Sequence, residues 1–261
     1  MRIVAGQELV KRYVSQPGLN NIFCSDDFIV QGLSNVDVIS KSGKMLAMIE
    51  GKVFASRSDA NSMNVIGNFH ADVESLIAKF NMEDCIDALE GRYVLIKINP
   101  DGGFDLGCDK FGQIDMYYQR VDGGVVFATD LSLLPIAVQR DEYDQVALAH
   151  TLGGYGYRPA KRHTFYRNVR RLGVREIAKW KAATSELSFV EAPFIPLQTS
   201  EYGSEKLREY SDILLDAIEI RSSKNENIIY LSSGWDSTSI LAGLVKIHGP
   251  SKVKAVIGRM K

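Results

Sequence analysis

The stretch NIIYLSSGWDSTSILAGLVKIHGPSKVKAVI, residues 227–257, decides how the second half of the chain folds. Its apolar run from Asn227 to Leu231 reads as a strand that leads into the turn Ser232-Ser233-Gly234-Trp235-Asp236-Ser237. A helix is expected from about Ser237 to His248, ended by Gly249-Pro250, and a second strand from Val253 to Ile257. Strand, helix and strand in that order make a βαβ unit of a parallel sheet. Such sheets are covered by helices on both faces, so the unit is expected to be only part of its domain.

Upstream, Leu207, Tyr210, Leu214, Ala217 and Ile218 recur at three- and four-residue spacing, which puts one apolar face on a helix. The polar stretch QTSEYGS, residues 198–204, precedes it, and a domain boundary follows near residue 200: residues 1–196 form one domain and 197–261 begin another. In the first of these, short β-rich segments are broken by Gly, Asp and Asn: DDFIVQGL (26–33), KMLAMIEGKVF (44–54), GRYVLIKI (91–98), GFDLGC (103–108), MYYQRV (116–121) and GVVFATD (124–130). The turns Pro100-Asp101-Gly102-Gly103 and Asp122-Gly123-Gly124 suit antiparallel hairpins. Two helices are expected, at about Asp72 to Phe80 and Met82 to Glu90, the second stopped by Gly91 as a C-cap. The predicted class is α+β: a two-layered β sandwich with helices on its outer faces, followed by the start of an α/β parallel-sheet domain.

The turn after Leu231 gathers backbone N–H groups, three hydroxyls and a helix N-terminus around one point, which is the make-up of an anion site. Asp236 would repel bare phosphate but suits a magnesium ion that offsets pyrophosphate charge. The alternative is a Ser/Gly turn that caps a helix, with Asp236 or Ser232 as N-cap. GxxxxGK[ST] is absent, and GGYGY at 153–157 lacks the third glycine of a dinucleotide fingerprint.

LSSGWDS, residues 231–237, resembles the LSGGxDSS loop of the asparagine synthetase family, the N-type ATP pyrophosphatases. Further pieces follow that family's order: EGKVFA (50–55) is similar to NGEIYN, HADVE (70–74) to GSDxE, DLGCDKFGQIDMYYQ (105–119) to its paired strands, GVVFATDLSLLP (124–135) to its "FASE" segment, and HTFYRNVRRLGV (163–174) to the segment that ends in LpPG. The resemblance covers nearly the whole chain. It implies an N-terminal-nucleophile glutaminase-like domain followed by an ATP-pyrophosphatase domain, ATP and Mg2+ as cofactors, and Leu231, Ser232, Ser233, Gly234, Asp236 and Ser237 as pyrophosphate ligands, with Asp236 on the metal. Ser233 replaces a glycine, at a cost of about 1–2 kcal/mol if that position needs a positive φ.

In the glutamine-hydrolysing members a cysteine at position 2 attacks the amide; here that position is Arg2, whose guanidinium cannot attack a carbonyl. By the same resemblance Gly32 stands where an arginine would clamp the glutamine carboxylate, and Glu50 where an amide would serve the oxyanion. Gly51 and Asp72 persist, Asp72 as an ammonium ligand or simply as the N-cap of its helix. No glutamine hydrolysis is expected.

The 31 Lys and Arg against 32 Asp and Glu give a net charge of -1, which offers nothing for a polyanion such as nucleic acid. Cys24, Cys85 and Cys108 fit neither a disulfide framework nor a zinc site and suggest a reducing, cytoplasmic setting. The N-terminal residues lack a signal-peptide run, and no segment reaches the roughly 18 apolar residues of a membrane span. His70, His150, His163 and His248 have no metal-ligand spacing. Lys161-Arg162-His163 and Arg167 to Arg175 form a basic strip, read as a solvated face or else as a phosphate or partner contact. The expected function is an ATP-dependent ligase, of the kind that serves asparagine biosynthesis, joining an adenylated carboxylate to ammonia or an amine. The alternatives are an intramolecular cyclase of the β-lactam synthetase or lasso-peptide type and a non-catalytic scaffold, with a homodimer or a complementing chain as partner.

Overall fold

A computed structural model describes residues 1–14, 18–32, 36–41, 44–59, 62–65, 70–136, 143–155, 162–193 and 203–258. These divide into two compact units, residues 1–53 with 70–194, and residues 54–69 with 195–261. The boundary expected at 196/197, the Leu33-Ser34-Asn35 segment, Gly156-Tyr157 and Lys161 lie outside the described residues.

The first unit is built on two antiparallel sheets. One has the order β11 (Val169–Arg171), β9 (Tyr117–Val121), β10 (Gly124–Ala128), β1 (Arg2–Ala5), β3 (Phe28–Gly32) and β2 (Asn20–Cys24). The other has the order β13 (Glu186–Glu191), β12 (Glu176–Lys181), β8 (Phe104–Cys108), β7 (Leu89–Ile98), β5 (Lys44–Asp59) and β4 (Val36–Lys41). Strand alternation sends one set of residues between the sheets: Ile3, Ala5, Phe28, Val30 and Phe127 from the first meet Met48, Val94, Ile96, Phe104 and Trp180 from the second. Phe104 stands 4.9 Å from Phe28 and 6.2 Å from Phe127, ring centre to ring centre, which joins the two layers through aromatic contact. Each fully buried side chain of this size contributes about 1.5–3 kcal/mol.

The other face of the first sheet is covered by α1 (Gln7–Tyr13), whose Leu9, Val10 and Tyr13 pack on Val4, Ile29 and Val126. The second sheet carries α3 (Met82–Ala88): a Cβ added to Gly107 would lie 3.0 Å from Ile86 Cδ1 and from Met82 Cε, so the bare glycine lets the helix sit close. Asn81 starts α3 by accepting the Asp84 N–H at 2.8 Å. The sandwich with outer helices is therefore present, and both glycine turns form hairpins, pairing Ile98 with Phe104 and Val121 with Gly124.

Several elements differ from the sequence reading. Gly91 does not cap α3; the helix ends at Ala88, its last turn closed by the Leu89 N–H on Cys85 O, and Gly91 lies within β7 at φ 125. The apolar run from Leu89 to Ile98 pairs as strand, and that pairing overrides a helix end placed by one glycine. α2 (His70–Lys79) starts two residues early, so the backbone of Asp72 lies inside its first turn instead of capping it; the Asp72 side chain is outside what is described. β1, β2, β4, β11, β12, β13, α1 and α4 (Gln145–His150) are not among the elements named in the sequence reading.

The second unit contains the short strand β6 (Ser62–Val65), paired with the far end of β5, and α5 (Ser204–Arg221), β14 (Asn227–Leu231), α6 (Trp235–His248) and β15 (Val253–Ile257). β14 and β15 run parallel, Asn227 opposite Val253 and Leu231 opposite Ile257. Ile218, Ile229 and Leu244 form the small core between the helices and the strands. Of the apolar face expected on α5, Leu214 and Ile218 join that core, whereas Leu207 and Tyr210 are exposed.

Candidate functional site

β1 runs through the middle of its sheet, between β10 and β3, and at its start the chain opens into a cavity of about 470 Å³ lined by Met1, Glu50, Arg92, Ile114, Thr129 and Asp130, among others. The Met1 ammonium donates to Thr129 Oγ1 at 2.7 Å and lies 3.0 Å from Glu50 Oε2. Thr129 donates in turn to Glu50 Oε2 at 3.2 Å, and its backbone N–H to Met1 O at 3.0 Å holds the strand end in place. Glu50 thus sits at the cavity wall with its carboxylate already paired to a cation.

Alternation along β1 separates its first two residues. The Met1 side chain joins the core between the sheets, whereas Arg2 points to the opposite face, toward α1. There its Nε and Nη2 donate to Gln31 Oε1 at 3.0 and 2.6 Å, and its guanidinium lies 4.8 Å from the centre of the Tyr13 ring. Gln31 is itself buried and donates to Tyr13 O and Asn21 Oδ1. Burial pulls the Arg2 pKa down from its usual value. The residue at position 2 therefore does not reach the cavity, and among the described residues no cysteine lines it.

Of the positions singled out in the sequence for the first unit, Glu50 lines the cavity, whereas Gly32 and Gly51 are not among its lining residues. A Cβ on Gly32 would come within 2.7 Å of Ile22 Cδ1 and 3.0 Å of Val36 Cγ2, so a side chain at this position would have to displace packed neighbours. Gly51 has φ 116, and a Cβ there would lie 2.2 Å from Arg92 O; the residue next to Glu50 is held to glycine both by its backbone angle and by the neighbouring strand. Arg92 and Thr129 escaped the sequence reading as cavity residues. Thr129 lies in GVVFATDLSLLP, a segment matched to the family's order without a role for that residue, and Arg92 is an ordinary strand residue until β7 is set beside β5.

In the other unit, LSSGWDS runs from the end of β14 into α6, which begins at Trp235, two residues earlier than expected. Gly234 is the N-cap, and no side chain caps the helix, so neither Asp236 nor Ser232 has that role. The Asp236 carboxylate stands in the first turn and makes no hydrogen bond or ion pair with any described residue, where the helix dipole favours its charge. The hydroxyls hold the turn: Ser237 Oγ accepts from the Ser232 N–H at 3.2 Å and lies 3.1 Å from Ser232 Oγ, which accepts from the Gly234 N–H at 3.2 Å. Ser233 is not among the residues with positive φ, so it fits the turn without the strain considered for it. Among the described residues no group of three or more His, Cys, Asp or Glu is placed to hold a metal ion.

The basic strip is largely neutralised within its own unit. Arg162 pairs with Glu176 at 2.9 Å, Arg170 with Asp144 at 3.4 Å, Arg171 with Asp115 at 3.4 Å and Arg175 with Asp87 at 2.7 Å. His163 Nδ1 lies 2.9 Å from Asp144 Oδ2, while Asp144 Oδ1 caps α4 through the N–H groups of Val146 and Ala147. These residues brace the surface and leave little net charge for a phosphate.

Comparison with known proteins follows the same lines. The family model described as the glutamine amidotransferase domain matches residues 37–190. Asparagine synthetase [glutamine-hydrolyzing] 1 of Bacillus subtilis (strain 168) is 23% identical over 206 residues, which is 77% of this chain and 32% of that protein. The chain thus spans about a third of the length of that curated relative.

Proposed function

Because the chain belongs to the glutamine amidotransferase domain family, of the asparagine synthetase type, we propose that it serves an ATP-dependent ligase that forms an amide from an adenylated carboxylate, with ammonia or an amine as the nitrogen source in place of glutamine. The observation that carries the second half of this reading is the Glu50 carboxylate at the cavity wall, paired to Met1 and Thr129. A negative group there opposes the charge that develops on an attacked amide oxygen, and among the described residues no thiol lines the cavity to attack it. The Thr129 hydroxyl is already engaged on both sides, accepting from the Met1 amino group and donating to the Glu50 carboxylate.

The first half rests on the turn after β14. The first N–H groups of α6 are left without a side-chain cap, and Asp236 offers a carboxylate with no partner among the described residues, so the turn suits a polyphosphate with its magnesium ion. When bound, ATP would supply the activated carboxylate and pyrophosphate as leaving group. The chain's own part would be to orient the phosphates through the Trp235, Asp236 and Ser237 N–H groups and to share the magnesium through Asp236. The substrates in this reading are a carboxylate and an amine donor.

The test is product analysis with ATP, Mg2+ and a panel of amino-acid carboxylates, aspartate first, supplied with ammonium or with glutamine. Pyrophosphate and AMP should appear with ammonium and not with glutamine alone. ADP as product, or a requirement for glutamine, would contradict the proposal.

A further inference from the structure

The cavity at the start of β1 has the size of a small-molecule site, and its charges are unevenly answered. At about 470 Å³ it falls within the roughly 300–1,000 Å³ of small-molecule sites. Of its two acids, Glu50 is paired with the Met1 ammonium and Thr129, whereas Asp130 is exposed and accepts the Ser132 N–H at 2.8 Å. Arg92, which also lines the cavity, is exposed and has no hydrogen-bond or ion-pair partner among the described residues. The remaining wall is aliphatic, from Leu19, Ile114 and Leu133.

From these placements we propose that the cavity binds a small aliphatic carboxylate, its anionic end on Arg92 and its chain against Leu19, Ile114 and Leu133. A guanidinium presents paired donors that match a carboxylate, and Arg92 has no partner among the described residues to compete for them. An amine would meet Arg92 and the Met1 ammonium, two cations, against the single carboxylate of Asp130, which is turned to the Ser132 N–H. A bare inorganic anion would leave the aliphatic wall in contact with water, so the chain of the ligand adds affinity through burial. Nothing in this inference depends on the ligase reading, because it concerns the first unit alone.

Thermal unfolding of the whole chain, at constant ionic strength, provides the test, with sodium butyrate, sodium phosphate, butylamine and L-glutamine as probes. Butyrate should raise the unfolding temperature in a saturable manner, and the other three should not. Arg92→Leu should unfold as the parent does without ligand, since Arg92 is exposed, and should weaken butyrate binding about tenfold or more, the loss expected for one charge-assisted contact. Arg92→Lys should keep part of it. No butyrate effect, an equal effect of phosphate, butylamine or glutamine, or an undiminished effect in Arg92→Leu would each overturn the proposal.

Discussion

The carboxylate of Glu50 lies 3.0 Å from the ammonium of Met1, with the two side chains 16% and 0% exposed. A pair this sheltered ties the start of the central strand β1 to β5 of the opposite sheet, and it stands at the cavity wall.

Removing the carboxylate therefore has a structural effect before any catalytic one. Glu50→Ala should lower stability by about 2 kcal/mol, less than the roughly 3–5 kcal/mol of a fully buried pair, because Glu50 keeps some contact with water. Chemical denaturation read by fluorescence checks it. Neither the parent nor this variant should release glutamate from glutamine, since the charge is lost but no nucleophile is gained. Glutamate release sensitive to a thiol reagent would contradict the cavity chemistry argued here.

Gly51 fixes where Glu50 stands. With φ 116 and a prospective Cβ 2.2 Å from Arg92 O, Gly51→Ala should destabilise by at least about 3 kcal/mol, through backbone strain and displacement of β7 together. Gly18, also at positive φ but with open space around it, should lose far less on the same change. Equal losses at the two positions, measured by equilibrium unfolding, would show that the close approach to Arg92 does not matter.

The thiols report the compactness of the sandwich. Cys24 is exposed, whereas Cys85 and Cys108 are buried. Burial pushes the Cys85 thiol up to about 11 and the Cys108 thiol higher still, so neither forms thiolate near neutral pH. Iodoacetamide at pH 8 should modify Cys24 in the native protein, and Cys85 and Cys108 only after denaturation, as peptide mass spectrometry would show. Native labelling of Cys108 would contradict its placement between the sheets.

Much of the architecture was legible in local chemistry. Gly102-Gly103 and Gly123-Gly124 mark hairpins because the turns use positive φ, and the βαβ unit at 227–257 follows from a change of period and a Gly-Pro stop. β1 was not legible: all four residues of Arg2–Ala5 are buried, so the polar/apolar alternation of a half-exposed strand is missing. α1, with seven residues, is too short to establish a helical period.

The site was legible in part. Gly32, Glu50 and Gly51 could be singled out in one dimension, but the part played by Arg2 could not, because one residue along a strand reverses the face that a side chain presents. Thr129 and Arg92 join the cavity only through pairing of strands distant in sequence. The basic strip looked free for the same reason, since Glu176, Asp144, Asp115 and Asp87, which neutralise it, come from other elements.

The turn after β14 bears the central claim, that the chain handles ATP through a helix N-terminus and one acidic side chain. Asp236 does not cap α6, so Asp236→Asn removes a charge without removing a cap, and should change folding stability by under about 1 kcal/mol. The most direct measurement is calorimetric titration of MgATP into the parent and into Asp236→Asn. Binding by the parent, with affinity reduced about tenfold or more in the variant and unchanged in Glu50→Gln, is the predicted result; no binding by the parent, or equal binding by parent and Asp236→Asn, would contradict the account.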